Sequence, residues 1–106
     1  MKKYRIKYTV KAIQDIENSF EWGCEHWGEV QAKSWYASLK TKIQKQLSIS
    51  PRGRSLAPES LELGREIRQM IHERYRILYE IINDTVSILS VRGSYNESDQ
   101  SPVDDS

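Results

Sequence analysis

The sequence predicts an α+β domain of order β-α-α-β-β-β, a two-helix hairpin packed on a small, mostly antiparallel sheet. Three observations predict it. Two amphipathic stretches separated by Gly28 fill residues 9–49, a Pro- and Gly-punctuated connection follows, and alternating apolar residues run through GREIRQMIHERYRILYEIINDTVSILSVRGSYN at 64–96. The connection separates a region of helical period from one of period two.

The elements follow in order. YRIKYT at 4–9 alternates bulky and basic residues, the pattern of a short strand. Thr9 can cap a first helix running to about Trp27, with Ile13, Ile16, Phe20 and Trp27 as its apolar stripe. Gly28 breaks that helix. A second helix, Glu29 to about Ile49, sets Ala32, Tyr36, Leu39, Ile43 and Leu47 on one face and Lys33, Lys40, Lys42 and Lys45 on the solvated one. The pair forms an αα-hairpin. In SPRGRSLAPESLELG at 50–64, Pro58–Leu63 suits one helical turn ended by Gly64. Three strands complete the domain. His72-Glu73 is the expected tip of the first hairpin and Asn83-Asp84 that of the second, since Asn and Asp tolerate a positive φ. The third strand of the chain places Tyr75, Ile77, Tyr79 and Ile81 on one face and Arg76, Leu78, Glu80 and Ile82 on the other.

Composition sets limits on function. A chain of 106 residues is sized for one domain. No apolar run approaches the ~20 residues of a membrane span, and MKKYRIKYTV lacks the apolar core of a signal peptide. The single cysteine, Cys24, excludes an internal disulfide and fits a reducing cytoplasm. The formal net charge of +1 hides a polarity: all 16 Lys and Arg lie between Lys2 and Arg92, whereas four acids and no base occupy the last 14 residues. Residues 1–92 therefore read as the domain, and 93–106 as an acidic tail expected to be disordered.

Metal and cofactor chemistry find no support. Cys24 and His26 project about 200° apart around a helix, so they cannot share an ion. No Gly-rich phosphate loop, nucleophile elbow or paired-carboxylate signature is present. Neither a metal nor a cofactor is expected.

The unusual feature is the arginine content of the β-segment: Arg65, Arg68, Arg74, Arg76 and Arg92. Two readings compete. Glu66, Glu73 and Glu80 can neutralise arginines as cross-strand pairs, or the excess charge, with Tyr75, Tyr79 and Tyr95 interleaved, forms a nucleic-acid footprint. Trp22 lies well round the first helix from Phe20 and is expected at the surface, as peripheral packing or as an anchor for a partner.

These runs, taken in order, resemble the RelE/ParE superfamily of toxins from bacterial type II toxin–antitoxin modules. The resemblance covers about residues 4–92. It is carried by the first strand, the two helices with Ala32 and Leu39, Leu47-x3-Pro51, LAPE at 56–59, GREIRQM at 64–70, YRILYEI at 75–81 and DTVSILSVR at 84–92. It implies a growth-inhibiting toxin restrained by a cognate antitoxin whose arm folds over its surface, at Trp22 and the basic sheet face. RelE-like members cut mRNA in the ribosomal A site, and ParE-like members poison DNA gyrase.

The first activity is the leading expectation. In it Arg76 and Arg68 stabilise the phosphorane-like transition state, Arg92 grips the scissile region, and Tyr95 is a candidate acid or base. Arg65, Arg74 and His72 then position the RNA backbone. The alternatives are gyrase inhibition and a degenerate module that only binds antitoxin. One departure stands out: Gly93 follows Arg92 where many relatives have His, and no Lys or Arg lies beyond it. An unperturbed Tyr95, with a pKa near ~10, is also a poor base.

Overall fold

The elements run β1 (Arg5–Tyr8), α1 (Val10–His26), α2 (Glu29–Leu47), a 3-10 turn (Pro51–Gly53), α3 (Glu59–Leu63), β2 (Arg68–His72), β3 (Tyr75–Ile82) and β4 (Thr85–Gly93). The computed structural model describes residues 3–93, so Tyr95 and residues 94–106 of the predicted tail lie outside the described residues. The four strands form one sheet in the order β1-β4-β3-β2. β1 runs parallel to β4, and the other two pairs are antiparallel. This is the expected α+β architecture. No helix among the described residues is long and apolar enough to cross a membrane.

Thr9 fastens three elements together. Its Oγ1 accepts the Ala12 N–H at 3.2 Å, capping α1, and donates to the Ile88 carbonyl at 2.8 Å. Its own N–H donates to the same carbonyl at 3.1 Å. The end of β1, the start of α1 and the middle of β4 are thus held by one side chain.

α1 buries Ala12, Ile16, Ser19 and Gly23, which corrects the stripe expected from Ile13, Phe20 and Trp27. Ile13 and Trp27 are exposed, and Phe20 is only partly buried. The reason is the distance between the helices. A Cβ on Gly23 would lie 2.8 Å from the Trp27 ring and 3.4 Å from Ala32, so small residues let α1 close on α2 and the bulky ones move to its flanks. In α2 the expected face holds at Ala32, Leu39, Ile43 and Leu47, but Trp35 is buried in place of Tyr36. Tyr36 instead meets Phe20 edge-to-face at 6.1 Å. Gly28, at φ 96°, makes the corner between the helices, a conformation that residues with a Cβ avoid.

The main core lies between the helices and one face of the sheet. Ile16, Trp35, Leu39, Ile43 and Leu47 meet Met70, Tyr75, Ile77, Tyr79, Val86, Ile88 and Val91 there. A smaller core lies on the opposite face, where Ala57 and Ile67 of the long connection cover Leu78, with Leu89 beside them. Leu89 is the extra residue of a β-bulge, since Leu78 pairs with Ser90 and Tyr79 with Ile88. β3 is therefore buried on both faces along Ile77–Tyr79.

The connection is tied down from both sides of the sheet. The Tyr79 hydroxyl donates to the Pro51 carbonyl at 2.6 Å on the helix side. Along the outer edge of β2, Ala57 N–H donates to Ile67 O at 2.7 Å and Gln69 N–H to Ser55 O at 3.1 Å. The tip of the first hairpin is Glu73-Arg74, one residue later than expected, because His72 pairs with Tyr75 as the last residue of β2. The second hairpin turns at Asn83-Asp84 as expected, with Asn83 at φ 56°.

Thr9→Ala is expected to lower stability by about 1–2 kcal/mol, the usual loss for an N-cap hydroxyl, and Thr9→Ser to restore most of it. Urea midpoints of the three proteins measure both effects.

Candidate functional site

The antiparallel register of β3 and β4 puts Arg76 directly opposite Arg92, on the sheet face away from the helices. Like charges at such positions repel. Glu59, from α3, resolves the conflict by reaching down between them. Its Oε2 accepts from Arg76 Nη2 at 2.8 Å and from Arg92 Nη1 at 3.1 Å. Arg76 Nη1 donates to Gln69 Oε1 at 2.8 Å. The Arg76 hydrogen bond holds the Glu59 carboxyl below its ordinary value, assisted by both guanidinium charges and opposed by partial burial. Two cations, one carboxylate and one amide form a closed polar cluster.

The structure places the remaining arginines elsewhere. Arg68 pairs with Tyr79 and so faces the helix side, opposite to Arg76. There it donates to the Arg54 carbonyl at 2.7 Å and meets Glu66 at 3.5 Å. Arg68 is therefore not joined to the Arg76–Arg92 pair, contrary to the expectation that all three act together. Arg65 meets Glu80 at 3.2 Å. Arg74 is exposed at the hairpin tip.

Two further expectations change. His72 is 6 % exposed, with Nε2 3.4 Å from Ser38 Oγ and 3.7 Å from Glu73 Oε2. A side chain enclosed there has no access to an RNA backbone on the outer sheet face. Trp22, expected at the surface, is partly buried because its ring stacks on His26 at 3.9 Å and meets Trp27 edge-on at 5.5 Å.

Of the acids expected to neutralise arginines, Glu66 and Glu80 do so, but Glu73 contacts a histidine instead. Glu59 was missed as the principal counter-ion. It sits in the LAPE run, but only the folded connection carries it 17 residues forward onto Arg76. The buried tyrosines offer no base. Burial pushes Tyr79 up to about 12 despite nearby Arg54 and Arg68, and burial also raises Tyr75, partly offset by a hydrogen bond with Ser19.

The chain matches a family model described as the ParE toxin of type II toxin–antitoxin system, parDE, over residues 6–94. It belongs to this family. The chain is thus a type II toxin of the ParE/RelE kind. Among solved structures it is similar to one described as the chromosomal ParDE TA system from P. aeruginosa. The TM-score is 0.70 at 16% identity, with 86% of this chain and 96% of that chain covered. It is also similar to the toxin–antitoxin complex RelBE2 from Mycobacterium tuberculosis. There the TM-score is 0.65 at 22% identity, with 88% of this chain and 93% of that chain covered. At these identities the two structures establish a shared fold. None of the curated proteins matches the chain.

Glu59→Gln is expected to cost this ParE-family domain about 1 kcal/mol at neutral pH, allowing for the solvent that reaches Arg92. Because the folded carboxyl titrates below its ordinary value of 4.5, the stabilisation is complete above that pH and is lost as pH falls through the folded value. The difference between wild type and variant should therefore shrink below about pH 4.5. Urea denaturation from pH 3 to 7 measures it.

Proposed function

We propose that the chain arrests growth by binding and poisoning DNA gyrase in the cytoplasm, and that a cognate antitoxin restrains it. The Glu59 bridge is the observation that carries this reading. Cleavage of RNA needs cations available to a developing phosphorane charge, together with a group able to take up the 2′-OH proton. Here Arg76 and Arg92 already share a carboxylate, and Arg68 lies on the other face of the sheet. Glu59 itself, with its acidity increased by Arg76, is a weak base. The family match also supports the ParE side of the superfamily.

On this reading the arginines shape a surface rather than perform a reaction. Arg76 holds α3 on the sheet, while the exposed parts of Arg65 and Arg92 present charge beside it. Restraint by an antitoxin is supported by the similarity to the ParDE and RelBE2 structures.

Induction of the chain in a bacterium should produce filamentation and an SOS response while messages stay intact. The purified protein should inhibit supercoiling by gyrase and leave translation in an extract unaffected. Normal gyrase activity with mRNA cut on the ribosome would establish the nuclease instead. Normal growth on induction would leave only the antitoxin-binding role.

A further inference from the structure

At the end of the molecule where the α1–α2 corner meets the β2–β3 hairpin, two cavities share a wall made by Trp27 and Glu73. One, of about 380 Å³, is bordered also by Trp22, Tyr75 and the chain's own Arg74. The other, of about 430 Å³, is bordered by Trp27, Gln31, Ser34, Trp35, Ser38 and Glu73. Its lining thus combines two indoles, three neutral hydrogen-bonding side chains and one carboxylate, and no Lys or Arg among the described residues; Ser38 Oγ and Glu73 Oε2 also approach His72 Nε2, at 3.4 and 3.7 Å. This size lies within the range of small-ligand sites, ~300–1,000 Å³.

We infer that this second cavity is a recognition site for a guanidinium group, the side chain of an arginine presented by a protein partner. The chemistry is complementary in each part. Indole rings attract a cation through their negative faces, and a planar guanidinium also stacks on them. The Glu73 carboxylate supplies the counter-charge, and Ser34, Ser38 and Gln31 offer oxygen acceptors for the remaining N–H groups. A phosphate-bearing ligand is disfavoured by the single negative charge of the lining.

The backbone at Glu73 is a second, independent observation. Glu73 adopts φ 56°, a left-handed conformation costly for a residue that is neither Gly, Asn nor Asp. Folding alone favours one of those three at this turn. Local strain of this kind gathers at ligand-contacting positions, where the side chain is needed in spite of its backbone. Here it delivers a carboxylate to the wall of both cavities.

Titration with argininamide, followed by indole fluorescence, tests the site. A saturable change is expected, with citrulline amide, the neutral isostere, binding at least ~10-fold more weakly. Glu73→Gln should weaken argininamide by a similar factor. Ser34→Lys, at an exposed helix position, should block the cavity with its own cation while leaving the melting curve unchanged. Equal binding of citrulline amide, unaltered binding by either variant, preference for adenosine monophosphate, or no saturation would each overturn the assignment. These outcomes are independent of whether gyrase is the target.

Discussion

Two arginines facing each other across adjacent strands repel unless a third charge lies between them. That constraint organises the outer half of this domain. Arg76 and Arg92 are fixed opposite one another by the β3–β4 register, and the register is fixed in turn by the main core under Ile77 and Val91. The counter-ion must come from outside the sheet, and the 50–64 connection supplies it. Pro51 is held by Tyr79, Ser55 and Ala57 by the edge of β2, and Ala57 by the small core over Leu78. α3 buries none of its residues, so its position follows from these anchors and from Glu59. The ion pairs are partly solvated and each is modest in energy. Their consequence is geometric: they hold α3 against the outer sheet face at the start of β3 and the end of β4.

Much of the fold was legible because its elements are written in local periodicities. Thr9 as cap, Gly28 as corner, Gly64 as the end of α3 and Asn83-Asp84 as turn all rest on the conformational preferences of single residues. The faces of β3 were also legible, since period two permits only two alternatives. The face of α2 was legible except at Tyr36, whose place Trp35 takes, but most of the face of α1 was not. A stripe chosen by bulk selects Ile13 and Phe20 in α1, but helices packed this closely bury Ser19 and Gly23 and place large residues at the flanks. Small residues on a helix carry no hydrophobic signal, so their burial follows only from the partner surface.

The candidate site was legible in composition and not in connectivity. The sequence announces an excess of arginine and names acids close by in the chain. Whether a given arginine meets a given carboxylate depends on strand register and on loop closure. A one-residue difference in strand position separates Arg68 from Arg76 by the thickness of the sheet. Likewise, the 17 residues between Glu59 and Arg76 contain a helix end, a strand and a turn. The reading of arginines as neutralised and the reading of arginines as a basic footprint were both open in the sequence. The structure answers for each residue separately: Arg76 is engaged, while Arg74 is exposed at the hairpin tip.

The two hairpin turns show how a functional demand can be distinguished from a folding one. Each is a two-residue turn whose first residue has φ 56°. At the second, Asn83 meets that requirement with a side chain suited to the left-handed region, and no further explanation is needed. At the first, Glu73 meets it with a side chain that lacks the intrinsic preference of Asn or Asp for the left-handed region. The backbone demand is the same in both, so the difference lies in what surrounds the side chains. Both side chains are exposed, but Glu73 also lies beside His72 and borders the indole-lined cavities. The carboxylate at the aromatic end and the carboxylate on α3 thus act in opposite senses. Glu59 satisfies cations that the fold itself brings together, and Glu73 holds a negative charge toward a space that suits a cation from elsewhere.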